Sequence, residues 1–96
     1  MTAEFQVTTT SHFDRDVKKL ASKHGTLLEI FRSIIITLKA DPYNRSRQYA
    51  IKKLEAVPQD EGQYRIRSGR FRFRYDTSGQ TVYLKACSLR REDSYR

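Results

Sequence analysis

Arginine occupies alternate positions in two short, neighbouring runs of this chain, with aromatic or aliphatic residues between. Successive side chains of a β-strand point to opposite faces, so such runs would display their arginines together on one face. The arginines concerned are Arg65, Arg67, Arg70, Arg72 and Arg74. Guanidinium groups at this spacing repel one another, but each can bind a phosphate group through two parallel hydrogen bonds. The pattern therefore predicts a preformed site for a polyanion.

The same stretch, from Gln63 to Asp76, predicts two antiparallel strands. Ser68-Gly69 would form the tight turn between them, since glycine readily adopts the positive φ that a hairpin turn demands. The residues predicted to face a hydrophobic core are Tyr64, Ile66, Phe71, Phe73 and Tyr75. An alternative interpretation is a purely structural hairpin at a sheet edge, whose arginine stems cover apolar surface.

The basic charge is concentrated in the same part of the chain. The 96 residues carry a formal net charge of +8, of which residues 1–61 contribute +2 and residues 62–96 contribute +6. A basic surface of this kind favours a nucleic-acid partner, with an acidic protein as the other natural choice.

The composition argues against several other classes of protein. Cys87 is the only cysteine, so no internal disulfide framework is expected. The N-terminus lacks the apolar core of a secretory signal, and no apolar run approaches the roughly 18 residues of a membrane span. These observations predict a soluble, cytoplasmic protein of one domain without a membrane partner.

Sites for metals and nucleophilic catalysis are also not indicated. His12 and His24 are the only histidines, and both are interpreted as solvated helix residues away from the basic face. Cys87 lies in an apolar run and is interpreted as an ordinary half-buried residue. There is no phosphate-binding glycine loop. We therefore predict neither a metal site nor a cofactor.

Arginine, lysine and tyrosine still permit one reaction class, the cleavage of RNA by its own 2′-hydroxyl. The substrate supplies the nucleophile, and arginines would stabilise the charge that develops on the phosphate. Proton transfer requires a further group. Tyr95 and Lys85 are the nearby candidates by strand position.

The remaining elements are read from hydrophobic periodicity. We predict a strand at Glu4–Thr9, helices at about 12–23 and 27–40, irregular chain over residues 43–62, and a last strand at Thr81–Leu89. In the last strand Val82, Leu84 and Ala86 would face inward, and Tyr83, Lys85 and Cys87 would lie on the basic face.

The predicted fold class is α+β, with the order β-α-α-β-β-β. It consists of an N-terminal strand, a helical hairpin, and a three-stranded antiparallel meander. Each helix has one apolar stripe, so both would pack on one face of the sheet and leave the basic face uncovered.

Five segments of the chain resemble the RelE/ParE superfamily of bacterial and archaeal toxins from toxin–antitoxin pairs. They are FDRDVKKL in the first helix, DP after the second, KKL at residues 52–54, YRIRSGRFRFRYD, and RREDSY near the end. The resemblance covers nearly the whole chain and implies one RelE-like toxin domain over residues 1–96. Residues 90–96 would form a basic functional tail, and Tyr95 in that tail favours the RelE-like arm.

In RelE-like toxins the basic sheet face binds messenger RNA in the ribosomal decoding site and cuts it there. Matching motif positions implies catalytic roles for Arg65, Arg67, Arg72, Arg91 and Tyr95. RNA-binding roles are expected for Arg70, Arg74, Lys85, Arg90, Lys52 and Lys53. Some members carry lysine where this chain has Arg65 and Arg67. Because arginine stays protonated in proteins, these two would act electrostatically.

The resemblance leaves the target open. The favoured function is a ribosome-dependent messenger-RNA endonuclease that inhibits translation, as the toxin of a type II pair. The alternatives are a non-catalytic, ParE-like inhibitor of DNA gyrase and a degraded toxin that only binds nucleic acid. In the favoured case the partners would be messenger RNA on the ribosome and a small acidic antitoxin, which would form a hetero-oligomer with this chain.

Overall fold

The fold places two helices against a five-stranded mixed sheet in a computed structural model that describes residues 4–58 and 61–89. The elements in chain order are β1 Gln6–Thr9, α1 Ser11–Ala21, α2 Leu27–Ala40, β2 Ile51–Lys53, β3 Tyr64–Ser68, β4 Phe71–Ser78 and β5 Thr81–Leu89. The strands lie side by side in the order β1-β5-β4-β3-β2.

The predicted three-stranded antiparallel meander is therefore wrong in both strand number and pairing. β1 joins the same sheet as a parallel neighbour of β5, with Gln6 opposite Thr81 and Thr9 opposite Leu84. β2 adds an antiparallel edge beyond β3. It was predicted as irregular chain because three residues are too few to show an alternating pattern, and its pairing with β3 defines it as a strand.

Both predicted helices are present and pack with their apolar stripes on the sheet. Thr10 caps α1, since its Oγ1 accepts a hydrogen bond from the Phe13 backbone N–H at 3.2 Å and donates one to the Leu84 carbonyl at 3.1 Å. α1 ends at Ala21, two residues before the predicted boundary, whereas α2 ends as predicted at Ala40. Neither helix of the described chain is long and apolar enough to cross a membrane.

The core lies between the helices and the aromatic face of the hairpin, as the alternation of β3 and β4 predicts. Phe73 and Tyr75 are fully buried, and the Phe73 ring lies 6.3 Å from that of Phe13. The Tyr75 hydroxyl donates a hydrogen bond of 2.6 Å to the Pro42 carbonyl, so its polar end is satisfied inside the core.

A β-bulge at Lys85 reverses the side-chain alternation in the second half of β5. Leu84 pairs with Tyr75 and Ala86 pairs with Arg74, so Lys85 is the extra residue. Beyond it Cys87 turns into the core, where it is 5% exposed, and Ala86 joins the arginine side of the sheet. The prediction that Ala86 faces inward and Cys87 outward is wrong because one inserted residue exchanges the two faces.

Candidate functional site

Strand pairing aligns the basic residues into two rows across the sheet. In the first row Lys52 of β2 lies opposite Arg65 of β3, and Arg65 lies opposite Arg74 of β4. In the second row Arg67 lies opposite Arg72. We call these five residues the arginine face. Neighbouring strands are about 4.8 Å apart, so each basic residue has another directly beside it.

The two rows place like charges side by side on neighbouring strands. Like charges directly opposite each other in a sheet are destabilising, and no cross-strand partner within the two rows is acidic. On β5 the rows continue into small, uncharged residues, with Ala86 opposite Arg74 and Ser88 opposite Arg72. The small side chains leave space beside the guanidinium groups, and a polyanion could fill it.

That space is a groove of about 470 Å³. Arg65, Arg72 and Arg74 line it together with Ala86, Cys87 and Ser88 of β5. Leu54, which follows β2, lines the groove as well, and so do His12 and Asp16 of α1.

Helix α1 reaches the groove because β1 covers only part of the β5 edge. β1 pairs with Thr81–Leu84, and beyond this point the Cys87 backbone N–H donates to Asp16 Oδ2 at 3.0 Å. The carboxylate therefore takes the place of a neighbouring strand. This contact holds the first turns of α1 beside the arginine face.

The Arg74 guanidinium is held by the chain that leads into β3. Its Nε donates to the Gly62 carbonyl at 3.1 Å, and the buried Asp76 carboxylate accepts the backbone N–H groups of Gly62 and Gln63 at 3.0 and 2.7 Å. Gly62 has a φ of +83°, and a Cβ there would lie 2.7 Å from the Arg74 Cβ. Only glycine fits this approach without strain.

The groove continues past Arg74 toward the bulge. Thr10, His12, Glu61 and Lys85 line this continuation. Lys85 Nζ lies 5.8 Å from the centre of the Tyr83 ring. Lys85 is predicted on the basic face, and as the bulged residue it lines the groove beside that face together with Arg74.

The remaining predicted site residues lie elsewhere. Arg70 is exposed in the turn between β3 and β4, outside the rows. Lys53 pairs with Tyr64 on the other face, where its Nζ lies 6.0 Å from the Tyr64 ring centre. Arg90, Arg91 and Tyr95 lie outside the described residues.

His12 is the residue that sequence reasoning missed. As predicted, it is a solvated helix residue, with 69% of its side chain exposed, but it does not lie away from the basic face, since it lines both parts of the groove. Its Nε2 lies 3.4 Å from Asp16 Oδ2, one helical turn away. The i, i+4 spacing of the two residues could have indicated the pair, but not its place beside the arginines. His24 packs its ring edge-on against Phe71 at 5.7 Å and does not line the groove.

Cys87 is poorly placed to act as a nucleophile. Burial raises the pKa of its thiol to about 12, and the Asp16 carboxylate adds to the effect. From the sequence it is interpreted as a half-buried residue, and in the structure it is buried, with 5% of its surface exposed. Within residues 4–58 and 61–89 no group of three or more His, Cys, Asp and Glu side chains could hold a metal ion.

Comparisons with known proteins find similarity at the level of structure. No family model matches the chain, and no match was found among curated proteins. One similar solved structure is the toxin–antitoxin complex RelBE2 from Mycobacterium tuberculosis, with a TM-score of 0.70 and 21% identity over 91% of this chain and 99% of that one.

A second is the RelB–RelE antitoxin–toxin complex from Methanococcus jannaschii, with a TM-score of 0.62 and 20% identity over 88% of this chain and 91% of that one. At these identities the likeness concerns the fold. The chain thus shares its fold, over almost the full length of the matched chains, with one component of two toxin–antitoxin complexes.

Proposed function

We propose that this protein is the toxin of a type II toxin–antitoxin pair and that it cleaves messenger RNA on the ribosome. The observation that carries the proposal is the pair of basic rows, Lys52–Arg65–Arg74 and Arg67–Arg72, beside a groove. Like charges directly opposite each other weaken a sheet, and a bound polyanion would offset their repulsion, which supports a phosphate-bearing partner.

The groove suits phosphoryl chemistry in which the RNA supplies its own nucleophile. Arg65, Arg72 and Arg74 come from two adjacent strands and could donate to several oxygens of one phosphate group. Donors that are held in place before the reaction stabilise the charge of the transition state without reorganisation. Arg67 in the second row would bind a neighbouring phosphate of the same strand.

The assignment as toxin, and not antitoxin, has two supports. The chain builds its own core of buried aromatic and aliphatic residues, and its +8 charge is opposite to that expected of a partner that neutralises it. The proposed partner is a small acidic antitoxin that covers the arginine face. Electrostatic complementarity would speed this association and make its rate fall with salt.

Primer extension on translating ribosomes tests the activity. Purified protein is added to ribosomes halted on a defined message, and we expect cuts within the decoding-site codon that require the ribosome. Arg72→Ala should lower the cleavage rate by roughly a hundred- to a thousandfold, about 2.7–4 kcal/mol, because a transition-state donor is lost.

Arg32→Ala is the matched control, because Arg32 is an exposed arginine of α2 on the helical side of the molecule. It should cleave like the wild type. Intact message in the presence of wild-type protein would contradict the proposal. Inhibition of gyrase supercoiling by that same protein would then favour the ParE-like alternative.

A further inference from the structure

We infer that His12 is the general base of the cleavage reaction and that Asp16 is its positioning residue, an inference that rests on the proposed function. His12 lines the groove together with Arg65, Arg72 and Arg74. It also lines the continuation of the groove with Arg74 and Lys85. A phosphate group held by these arginines would therefore lie in the same groove as the imidazole.

The neighbours of His12 indicate which ring nitrogen is basic. Nε2 lies 3.4 Å from Asp16 Oδ2, and that oxygen is itself held by the Cys87 backbone N–H at 3.0 Å. A carboxylate beside one ring nitrogen favours the tautomer with the proton on that nitrogen. In the neutral ring Nε2 then carries the proton and Nδ1 is the acceptor.

The arginines and Cys87 of the groove are poorly suited to accept a proton. Arginine remains protonated at any physiological pH. Cys87 is buried, and its backbone rather than its thiol meets Asp16. Imidazole changes its charge close to neutral pH, which is the requirement for an efficient general base.

The proposed reaction is an internal transesterification of the RNA. Nδ1 of His12 takes the proton of the 2′-hydroxyl, and the 2′-oxygen forms a bond to phosphorus. The bond from phosphorus to the 5′-oxygen breaks, and that oxygen takes a proton from water. The products are a 2′,3′-cyclic phosphate and a 5′-hydroxyl, and the imidazolium then returns its proton to solvent.

The pH profile of a charge variant tests the role of Asp16. Within residues 4–58 and 61–89, the charged groups that line the same groove as His12 are Asp16, Glu61, Arg65, Arg72, Arg74 and Lys85. Asp16→Asn removes a negative charge 3.4 Å from the His12 ring. Loss of a nearby negative charge favours the neutral form of an imidazole, so the acidic limb of the rate profile of this variant should lie at lower pH than that of the wild type.

Single-turnover cleavage of a ribosome-bound message at several pH values tests this inference. We expect His12→Gln to lower the rate by roughly a hundred- to ten-thousandfold and to remove the acidic limb. Asp16→Asn should retain more activity and shift that limb downward. His24→Gln removes the histidine that does not line the groove, and Asp14→Asn removes an exposed carboxylate of the same helix, so both should behave like the wild type.

Binding of a message that cannot react distinguishes a loss of catalysis from a loss of affinity. A message with a 2′-deoxy nucleotide at the cut site cannot react, and wild type and His12→Gln should bind it equally. A His12→Gln variant that cleaves at the wild-type rate, or whose loss is matched by lost binding of the deoxy message, would overturn the inference while the proposed function stands. If the wild-type protein itself does not cleave the message, both the proposed function and the role of His12 are contradicted.

Discussion

Replacing Phe73 by Ala tests which face of the hairpin forms the core. Phe73 is fully buried at the centre of the sheet, opposite Ile66 on one side and Cys87 on the other. Its ring lies 6.5 Å from the Phe31 ring in a nearly parallel arrangement, with 10° between their planes. Truncation therefore removes contacts to both helices and to two strands at once.

The expected cost is large for a chain of this size. Removing a buried phenylalanine side chain costs about 3–5 kcal/mol, since transfer energy is lost and a cavity remains. Small domains have a total stability of only roughly 5–15 kcal/mol. A loss of 1 kcal/mol lowers the melting temperature of such a domain by roughly 4–8 °C, so Phe73→Ala should melt at least about 12 °C below the wild type.

Thermal unfolding followed by circular dichroism measures this effect, and Arg72→Ala is the matched control. Arg72 precedes Phe73 on the same strand but belongs to the arginine face, opposite Arg67. Its truncation leaves the core intact and relieves a like-charge contact, so its melting temperature should change far less. Equal losses for the two variants, or a wild-type melting temperature for Phe73→Ala, would refute this assignment of the two faces.

Two further changes test how the arginine face is built. Gly62→Ala should cost about 1–3 kcal/mol from its positive φ alone, with more from the collision with Arg74, whereas Gly25→Ala has open space around it and should be nearly neutral in urea denaturation. A wild-type midpoint for Gly62→Ala would contradict the close approach. Lys52→Gln should raise stability by about 0.2–1 kcal/mol at low salt, because it removes a charge opposite Arg65, and the gain should fade as salt is added. Lys53 lies on the other face, so Lys53→Gln should give no such gain in stability. Equal gains for the two variants would contradict the repulsion between Lys52 and Arg65.

The hairpin could be predicted from the sequence because its determinants are local. Alternation in β3 and β4 assigns Ile66 and Phe73 to the core and Arg65 and Arg72 to the other face, whatever the rest of the chain does. The apolar stripes of α1 and α2 likewise follow from helical periodicity, and both helices pack against the sheet. Local alternation therefore placed the strand residues correctly, whereas Arg70, predicted on the arginine face, lies in the turn.

Strand partners depend on the whole chain, and these predictions failed. The parallel pairing of β1 with β5 joins segments at opposite ends of the sequence, and β2 becomes a strand through its contact with β3. The bulge at Lys85 exchanges Ala86 and Cys87 between the two faces. A period-two pattern carries no signal for an inserted residue, because the extra residue is defined by the partner strand.

The basic character of the site was determined by the sequence alone, since Arg65, Arg67, Arg72 and Arg74 alternate with core residues and share a face once their two runs form strands. The groove beside them was decided by the tertiary structure. β1 ends its pairing at Leu84, and the Asp16 carboxylate takes up the next stretch of the β5 edge. This contact brings His12, more than 50 positions from the nearest arginine of the rows, to the groove beside them. Backbone groups at an open sheet edge must find partners, and which helix supplies them is a property of the assembled fold.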